Sequence, residues 1–167
     1  MVLDTRELIE RAGMQVEVVS VGGTYNYEIV GAIAGVTEVP AGSYALLDYR
    51  YSRYRTQFKP AAKVISTVTS CPELDIIIID SGEKTIGADQ GLPVVENISE
   101  ITLTSLSAEH GILKLKKEAQ NNLDLGDKVW LIPWDIGSCI NLHDYINVVR
   151  EGKLEAIWEI AARGRYR

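Results

Sequence analysis

The chain has 167 residues, enough for one domain or for one domain with a fragment of another. Hydrophobic residues make up 46% and charged residues 24%, so the chain can bury a core and is not disordered. A net charge of −6 argues against nucleic acid and anionic membrane surfaces as partners, because both select a basic footprint.

No apolar run approaches the roughly 20 residues of a membrane helix, and the start MVLDTRELIERAG is too charged for a secretory core. Cys71 and Cys139 lack C-x-x-C spacing, which argues against a disulfide framework and for a cytoplasmic protein.

Asp4 is placed to cap a first helix, with Leu8, Ile9 and Ala12 on one face and Gly13 as its stop. Residues 16–20, VEVVS, form a β-branched run that predicts a strand. It ends in Ser20, Val21 and the pair Gly22-Gly23, and Thr24 opens toward a second helix over 25–32. Two glycines tolerate positive φ and let a ligand approach the backbone. A helix directly behind them would point free N–H groups and its positive dipole end at the same spot. A phosphate suits such a place; a plain turn between strand and helix is the alternative.

Beyond residue 35 the pattern changes from helix–strand–helix to alternating strands, which places a boundary between residues 35 and 40. Pro40-Ala41-Gly42 predicts a turn and SYALLDYRY, residues 43–51, a strand. Further strands are expected in AAKVISTVTSC (61–71), in the buried run LDIIIID (74–80), and in ITLTSLS (101–107) and ILKLKK (112–117). Gly126-Asp127-Lys128 turns into VWLIP, and residues 146–160 read as a hairpin with Glu151-Gly152 at its tip. Some eight strands predict an all-β barrel or sandwich. The helix–strand–helix start is too little for an α/β domain, since a lone parallel strand lacks neighbours for its ladder. It reads as the end of something larger.

The run DYRYSRYRTQFK, residues 48–59, interleaves tyrosines with arginines. A single-strand nucleic-acid platform uses that composition, as does an edge strand with snorkelling arginines. A third option is that Arg50, Arg53 or Arg55 meets a carboxylate of a substrate or partner. His110 and His143 are candidates for catalysis or for hydrogen-bonding struts, and Asp80-Ser81-Gly82 has turn chemistry. Trp130, Trp134 and Trp158 are expected as core or interface anchors.

Six segments stand in an order that resembles one enzyme family: VSVGGT, GVTEVPAGSYALLD, IIIDSGEKTIGADQG, LSAEHGIL, GDKVWLIP and CINLHDYINVVREGKLEAIWEIAARGR. The family is that of pyridoxal-phosphate enzymes of the D-threonine aldolase and D-serine dehydratase type, related in fold to alanine racemase. The resemblance covers nearly the whole chain but only the C-terminal portion of such an enzyme. It implies that residues 1–35 are the last helix, strand and helix of a cofactor-binding (β/α)₈ barrel and that residues 36–167 are the mostly β domain. Ser20, Gly22, Gly23 and Thr24 match the turn that cradles the cofactor phosphate, with Tyr25 in place of the proline usual there. The Schiff-base lysine of the family lies on the first barrel strand, outside the matched region. Lys59, Lys63 and Lys84 do not take its place, so no catalytic residue is assigned.

The resemblance also implies a divalent-metal pair in a Pro-x-His-x-Cys or Pro-x-His-x-Asp run. Asp135 falls at the histidine and Gly137 at the second ligand; Asp135 could hold a hard cation and Cys139 lies four residues on, but one or two mixed ligands make a poor site and no stoichiometric metal is expected. The function implied is that of the C-terminal part, or a subunit, of a pyridoxal-phosphate-dependent aldolase or dehydratase acting on a β-hydroxy amino acid. It would be inactive alone and completed by a barrel-bearing partner or another copy. The alternative is a non-catalytic β module that binds a protein partner or a small anion.

Overall fold

A computed structural model describes residues 1–116 and 122–165. Lys117, the last residue of the expected ILKLKK strand, lies outside the described residues. The sheet is organised around strand β1 (Val64–Glu73). Its first half pairs antiparallel with β6 (Lys128–Ile132), in the register Val64↔Leu131. Its second half pairs antiparallel with β2 (Ile76–Ile79), with Val68 opposite Ile79. Irregularities at Val68/Ser70 and Ser70/Glu73 let one strand bend from one neighbour to the other.

Strand β5 (Gly111–Leu115) pairs with β2, β4 (Ile101–Leu106) with β5, and β3 (Val94–Val95) with β6. The resulting order is β3-β6-β1-β2-β5-β4. The edge strands β3 and β4 touch, so the six strands nearly close into a barrel. Alternation decides what fills it. In β5 Gly111, Leu113 and Leu115 point inward while Ile112 and Lys114 point out. Leu113, Ile77, Ile79, Leu131 and Val68 form the interior, and Ile86 and Cys139 from short helices α4 (Glu83–Ile86) and α5 (Ile136–Ile140) join it. Burying each such aliphatic side chain stabilises the fold by about 1.5–3 kcal/mol. The protein is thus mostly β, as the strand count predicts.

Four details differ from expectation. Helix α1 (Val2–Arg11) begins with Met1 as its cap, so Asp4 falls inside the first turn, while Gly13 ends the helix at φ +84°. Residues 16–20 are not a ladder strand. Among the described residues their strand pairing is one parallel bridge, Ser20 to Glu38, in which the N–H groups of Thr37 and Glu38 donate to the Val19 carbonyl (3.1 and 3.2 Å) and the Val21 N–H to the Glu38 carbonyl (3.1 Å). A lone parallel segment without flanking strands has nothing more to bond to.

SYALLDYRY is not a strand either. Ser43–Ala45 forms a 3₁₀ turn and Tyr49–Ser52 a one-turn helix, α3. Asp48 caps α3 by accepting the Tyr51 N–H at 2.9 Å, and capping chemistry overrides the period-two pattern. Finally, β7 (Tyr145–Arg150) and β8 (Lys153–Glu159) form a separate two-stranded ribbon rather than barrel strands. Their turn is as expected, with Glu151 at φ +50° and Gly152 at φ +74°.

Candidate functional site

Helix α3 joins two stretches marked by the sequence. On one side, the N–H groups of Tyr49 and Arg50 donate to the carbonyls of Pro133 (2.9 Å) and Trp134 (3.3 Å). The buried Asp48 carboxylate adds a bond from the Ile136 N–H at 3.4 Å. Burial raises the Asp48 pKa above the usual carboxylate range; the Tyr51 and Ile136 N–H groups oppose this, and the charge of Asp135 adds to it. On the other side, the Tyr51 ring stacks on Tyr25 with centroids 6.2 Å apart, and Arg55 Nε donates to the Tyr25 carbonyl at 2.7 Å. The glycine turn and the segment around Asp135 are therefore held by one short helix.

In the glycine turn, Gly22 carries φ +83°, a left-handed value that a side chain resists. A Cβ on Gly22 would also lie 2.5 Å from Val30 Cγ2 and 2.7 Å from Asn26 Oδ1. Gly23 has neither constraint: its φ is not positive, and an added Cβ meets nothing within 4 Å. That open space beside the backbone is where a ligand can approach. The Gly23 N–H is taken by Asn26 Oδ1 at 3.0 Å, but those of Gly22, Thr24 and Tyr25 have no acceptor among the described residues. Ser20 is exposed, whereas Thr24 is buried and its hydroxyl oxygen accepts the Tyr44 N–H at 3.1 Å.

The helix behind the turn, α2 (Tyr27–Gly31), has five residues and starts after the cap position Asn26. What this turn offers an anion is free backbone N–H groups rather than the dipole of a long helix. These residues fit a phosphate monoester. Gly22→Ala is expected to destabilise the fold by about 1–3 kcal/mol through strain at positive φ. Gly23→Ala should leave thermal stability unchanged while weakening phosphate binding. Paired melting curves and phosphate titrations check both halves of this prediction.

Asp135 has a structural task that its place in the sequence did not reveal. It caps α5, its Oδ1 accepting the Ser138 N–H at 2.8 Å. Gly137 offers no donor atom. Cys139 is buried with its Sγ 3.9 Å from the Thr85 carbonyl oxygen, and His143 Nε2 lies 2.7 Å from the same oxygen. Burial, reinforced by the Asp135 charge, pushes the Cys139 thiol up to about 12, so it is not a thiolate ligand near neutral pH. Among the described residues no three His, Cys, Asp or Glu side chains gather to hold a metal. The donor set does not fit a divalent ion. One consequence is a thiol count: exposed Cys71 should react with a disulfide reagent in the native protein, and Cys139 only after unfolding.

The remaining marked residues have structural partners of their own. Asp80 Oδ1 accepts from the Ser66 hydroxyl (2.8 Å) and the Thr67 N–H (2.7 Å). Lys84 pairs with Glu109, and the His110 N–H donates to Ser107 Oγ. The Lys84–Glu109 pair ties α4 to the β4–β5 turn, and Asp80 holds the end of β2 against β1. Residues that the sequence did not single out, Asn26 and Asp48, hold the site together: Asp48 caps α3, the usual role of an Asp directly before a helix, while the Asn26 side chain accepts the Gly23 N–H instead of capping α2.

Comparison with known proteins sets this geometry in context. Residues 61–149 match the family model described as a putative serine dehydratase domain. The chain is 36% identical over 162 residues to a D-threonine aldolase of Arthrobacter sp, covering 95% of this chain and 42% of the relative. It is 30% identical over 168 residues to a 3-hydroxy-D-aspartate aldolase of Paracoccus denitrificans (strain Pd 1222), covering 95% and 43%. The crystal structure of a D-threonine aldolase from Filomicrobium marinum superposes with a TM-score of 0.90 at 28% identity, over 99% of this chain and 47% of that one. The chain thus spans less than half the length of the curated aldolases it matches. It belongs to the family of the putative serine dehydratase domain and carries the C-terminal part of enzymes built on it.

Proposed function

We propose that these residues serve as the C-terminal part of a pyridoxal-phosphate-dependent lyase that cleaves or dehydrates a β-hydroxy amino acid. The observation that carries this is the turn at Ser20, Gly22, Gly23 and Thr24, with positive φ at Gly22, open space at Gly23 and three N–H groups that have no acceptor among the described residues. Backbone N–H groups of Gly22, Thr24 and Tyr25 would hold the phosphate, and the buried Thr24 would fix the turn against Tyr44. When bound, pyridoxal phosphate supplies an electron sink for bond breaking next to the amino-acid Cα. The names of the aldolase relatives favour this reaction class.

In this reading residues 1–35 close a barrel whose remainder lies on the same or another polypeptide. The exposure of Leu8, Val18 and Ile29, at 64%, 58% and 68%, supports a covering partner over that stretch. Metal is not part of the reading, given the donors around Asp135. Two free thiols suit the cytoplasm as its setting. The test is reconstitution: residues 1–167 are combined with the barrel portion of a D-threonine aldolase and assayed for pyridoxal-phosphate-dependent lyase activity. Restored turnover that Gly23→Val removes is the expected result. A complex that forms without turnover would refute the proposal.

A further inference from the structure

The ribbon of β7 and β8 stands apart from the barrel sheet. Among the described residues it is a sheet of its own, and β8 pairs with β7 alone. β7 lies nearer the barrel: Tyr145, Ile146, Asn147 and Val149 line the cleft between ribbon and barrel, to which β8 adds Leu154. The outer edge of β8 is open, with backbone N–H and C=O groups placed to bond another strand. Its side chains do not suit a solvated edge, since Leu154, Ile157 and Trp158 are each 60% exposed. A two-stranded ribbon alone is marginally stable in water, and a further strand is one of the things that hold it.

The charges on β8 specify what pairs with it. Lys153 and Glu159 stand at the two ends of the strand, and among the described residues neither has an ion-pair partner. Within the ribbon, Lys153 lies directly opposite Arg150, a like charge. Glu155, the residue that the register passes over, meets Arg150 at 3.1 Å. Lys153 thus lacks an anion and Glu159 a cation.

A second β8 supplies both. In an antiparallel pair about a two-fold axis at Ala156, Lys153 faces Glu159 of the other copy twice, and Leu154 faces Trp158 twice. An axis normal to the sheet keeps the faces of both strands, so the register moves only in steps that keep the pleat. With the axis at Glu155, that glutamate faces itself; with the axis at Ile157, Glu155 faces Glu159. Only the Ala156 axis sets opposite charges together and like charges apart.

We propose that β8 is a self-association edge, through which two copies of this chain join their ribbons into one four-stranded sheet with the axis at Ala156. Residues 156–159 follow the regular register, and the long Lys153 side chain spans the irregularity at Glu155. Trp158 against Leu154 covers apolar surface that a single copy exposes. This inference is independent of the lyase reading, because it uses no residue of the glycine turn.

The test uses residues 1–167 carrying Cys71→Ser, which removes the exposed thiol. Sedimentation equilibrium should show a reversible monomer–dimer equilibrium. Ala156→Cys places two thiols at the axis, where facing Cα atoms lie about 4.5–5.5 Å apart, within disulfide reach. Mild oxidation should give a covalent dimer, whereas Tyr145→Cys on the far strand should not. Glu159→Lys sets lysine against lysine twice and should weaken association about tenfold or more. Lys153→Glu should do the same, and the two together should restore the parent affinity. Melting curves establish folding, and Lys153→Glu carries the test if Glu159→Lys does not fold.

A monomer at all concentrations would overturn the proposal, as would Ala156→Cys crosslinking no faster than Tyr145→Cys. A dimer indifferent to Glu159→Lys, or a double variant as weak as either single one, would place the contact elsewhere and overturn it. The barrel portion of a D-threonine aldolase shielding Ala156→Cys from oxidation would assign the edge to that portion and overturn self-association.

Discussion

Gly82→Ala is expected to destabilise the protein by about 3 kcal/mol, a large part of the roughly 5–15 kcal/mol that holds a domain folded. A Cβ on Gly82 would lie 2.5 Å from the carbonyl oxygens of both Ser107 and Ala108. These are backbone atoms with no freedom to turn aside. The Ser107 carbonyl accepts the Glu83 N–H at 2.8 Å, and that of Ala108 accepts the Lys84 N–H at 3.2 Å. The Ser107 N–H is bonded in turn to the His110 carbonyl at 2.8 Å. From the facing side, a Cβ on Gly111 would lie 2.9 Å from the Ser81 carbonyl oxygen.

Two chain segments thus cross with no room for a methyl group, and moving them breaks the joint between α4 and the β4–β5 turn. Gly82 has φ −112°, which other residues adopt freely, so the cost is steric rather than conformational. Gly42 is the matched control, with φ −120° and nothing within 4 Å of an added Cβ. Gly42→Ala should stay within about 0.5 kcal/mol of the parent. Urea denaturation of the two variants measures the difference directly. A Gly82→Ala midpoint equal to that of Gly42→Ala would show that the crossing is loose.

Residues 1–167 supplied with pyridoxal phosphate are expected to cleave or dehydrate β-hydroxy amino acids no faster than free cofactor does. Enzymes of this kind accelerate their reactions by at least about 10⁶-fold, and a lysine at the reacting centre is central to that. Among the described residues, four lysines are engaged elsewhere. Lys63 pairs with Glu96, Lys84 with Glu109 and Lys114 with Asp75, and Lys128 donates to the Thr67 hydroxyl at 2.6 Å. None of these contacts reaches the glycine turn. Steady-state assays with several β-hydroxy amino acids check the expectation. Saturable turnover lost on substituting one lysine would mean that the chain carries its own catalytic base.

The barrel was legible because its strands announce themselves by burial. LDIIIID, ITLTSLS and VWLIP each have the length and β-branched content of a core strand, and Glu151-Gly152 marks a tight turn that forms as expected. What misled was chemistry that acts through tertiary partners. The alternating aromatics of SYALLDYRY look like a strand, yet Asp48 caps a helix there and the Pro133 and Trp134 carbonyls hold it in place. Residues 16–20 have strand composition, but among the described residues they find a single bridge, to the Thr37–Glu38 segment, and no ladder. Asp135 drew notice only through the resemblance, while its spacing to Ser138, that of a cap bonded to the third residue of its helix, went unread. In the glycine turn the pair was visible, but not which member needs positive φ. Packing against Val30 and Asn26 decides that it is Gly22.

Following the backbone amides of Gly22, Thr24 and Tyr25 during titration with pyridoxal phosphate tests the central claim most directly. Charge-assisted bonds contribute about 1.5–3 kcal/mol each, so two or three of them, less the ordering of a half-open turn, place the affinity in the millimolar to micromolar range. The expected result is a saturable shift of these three amides, abolished by Gly23→Val, which fills the open space beside the turn. Thr24→Ser should keep it, because serine preserves the hydroxyl that accepts the Tyr44 N–H. No shift at these amides, or a Gly23→Val variant that binds as well as the parent, would mean that the glycine turn is not where a phosphate sits.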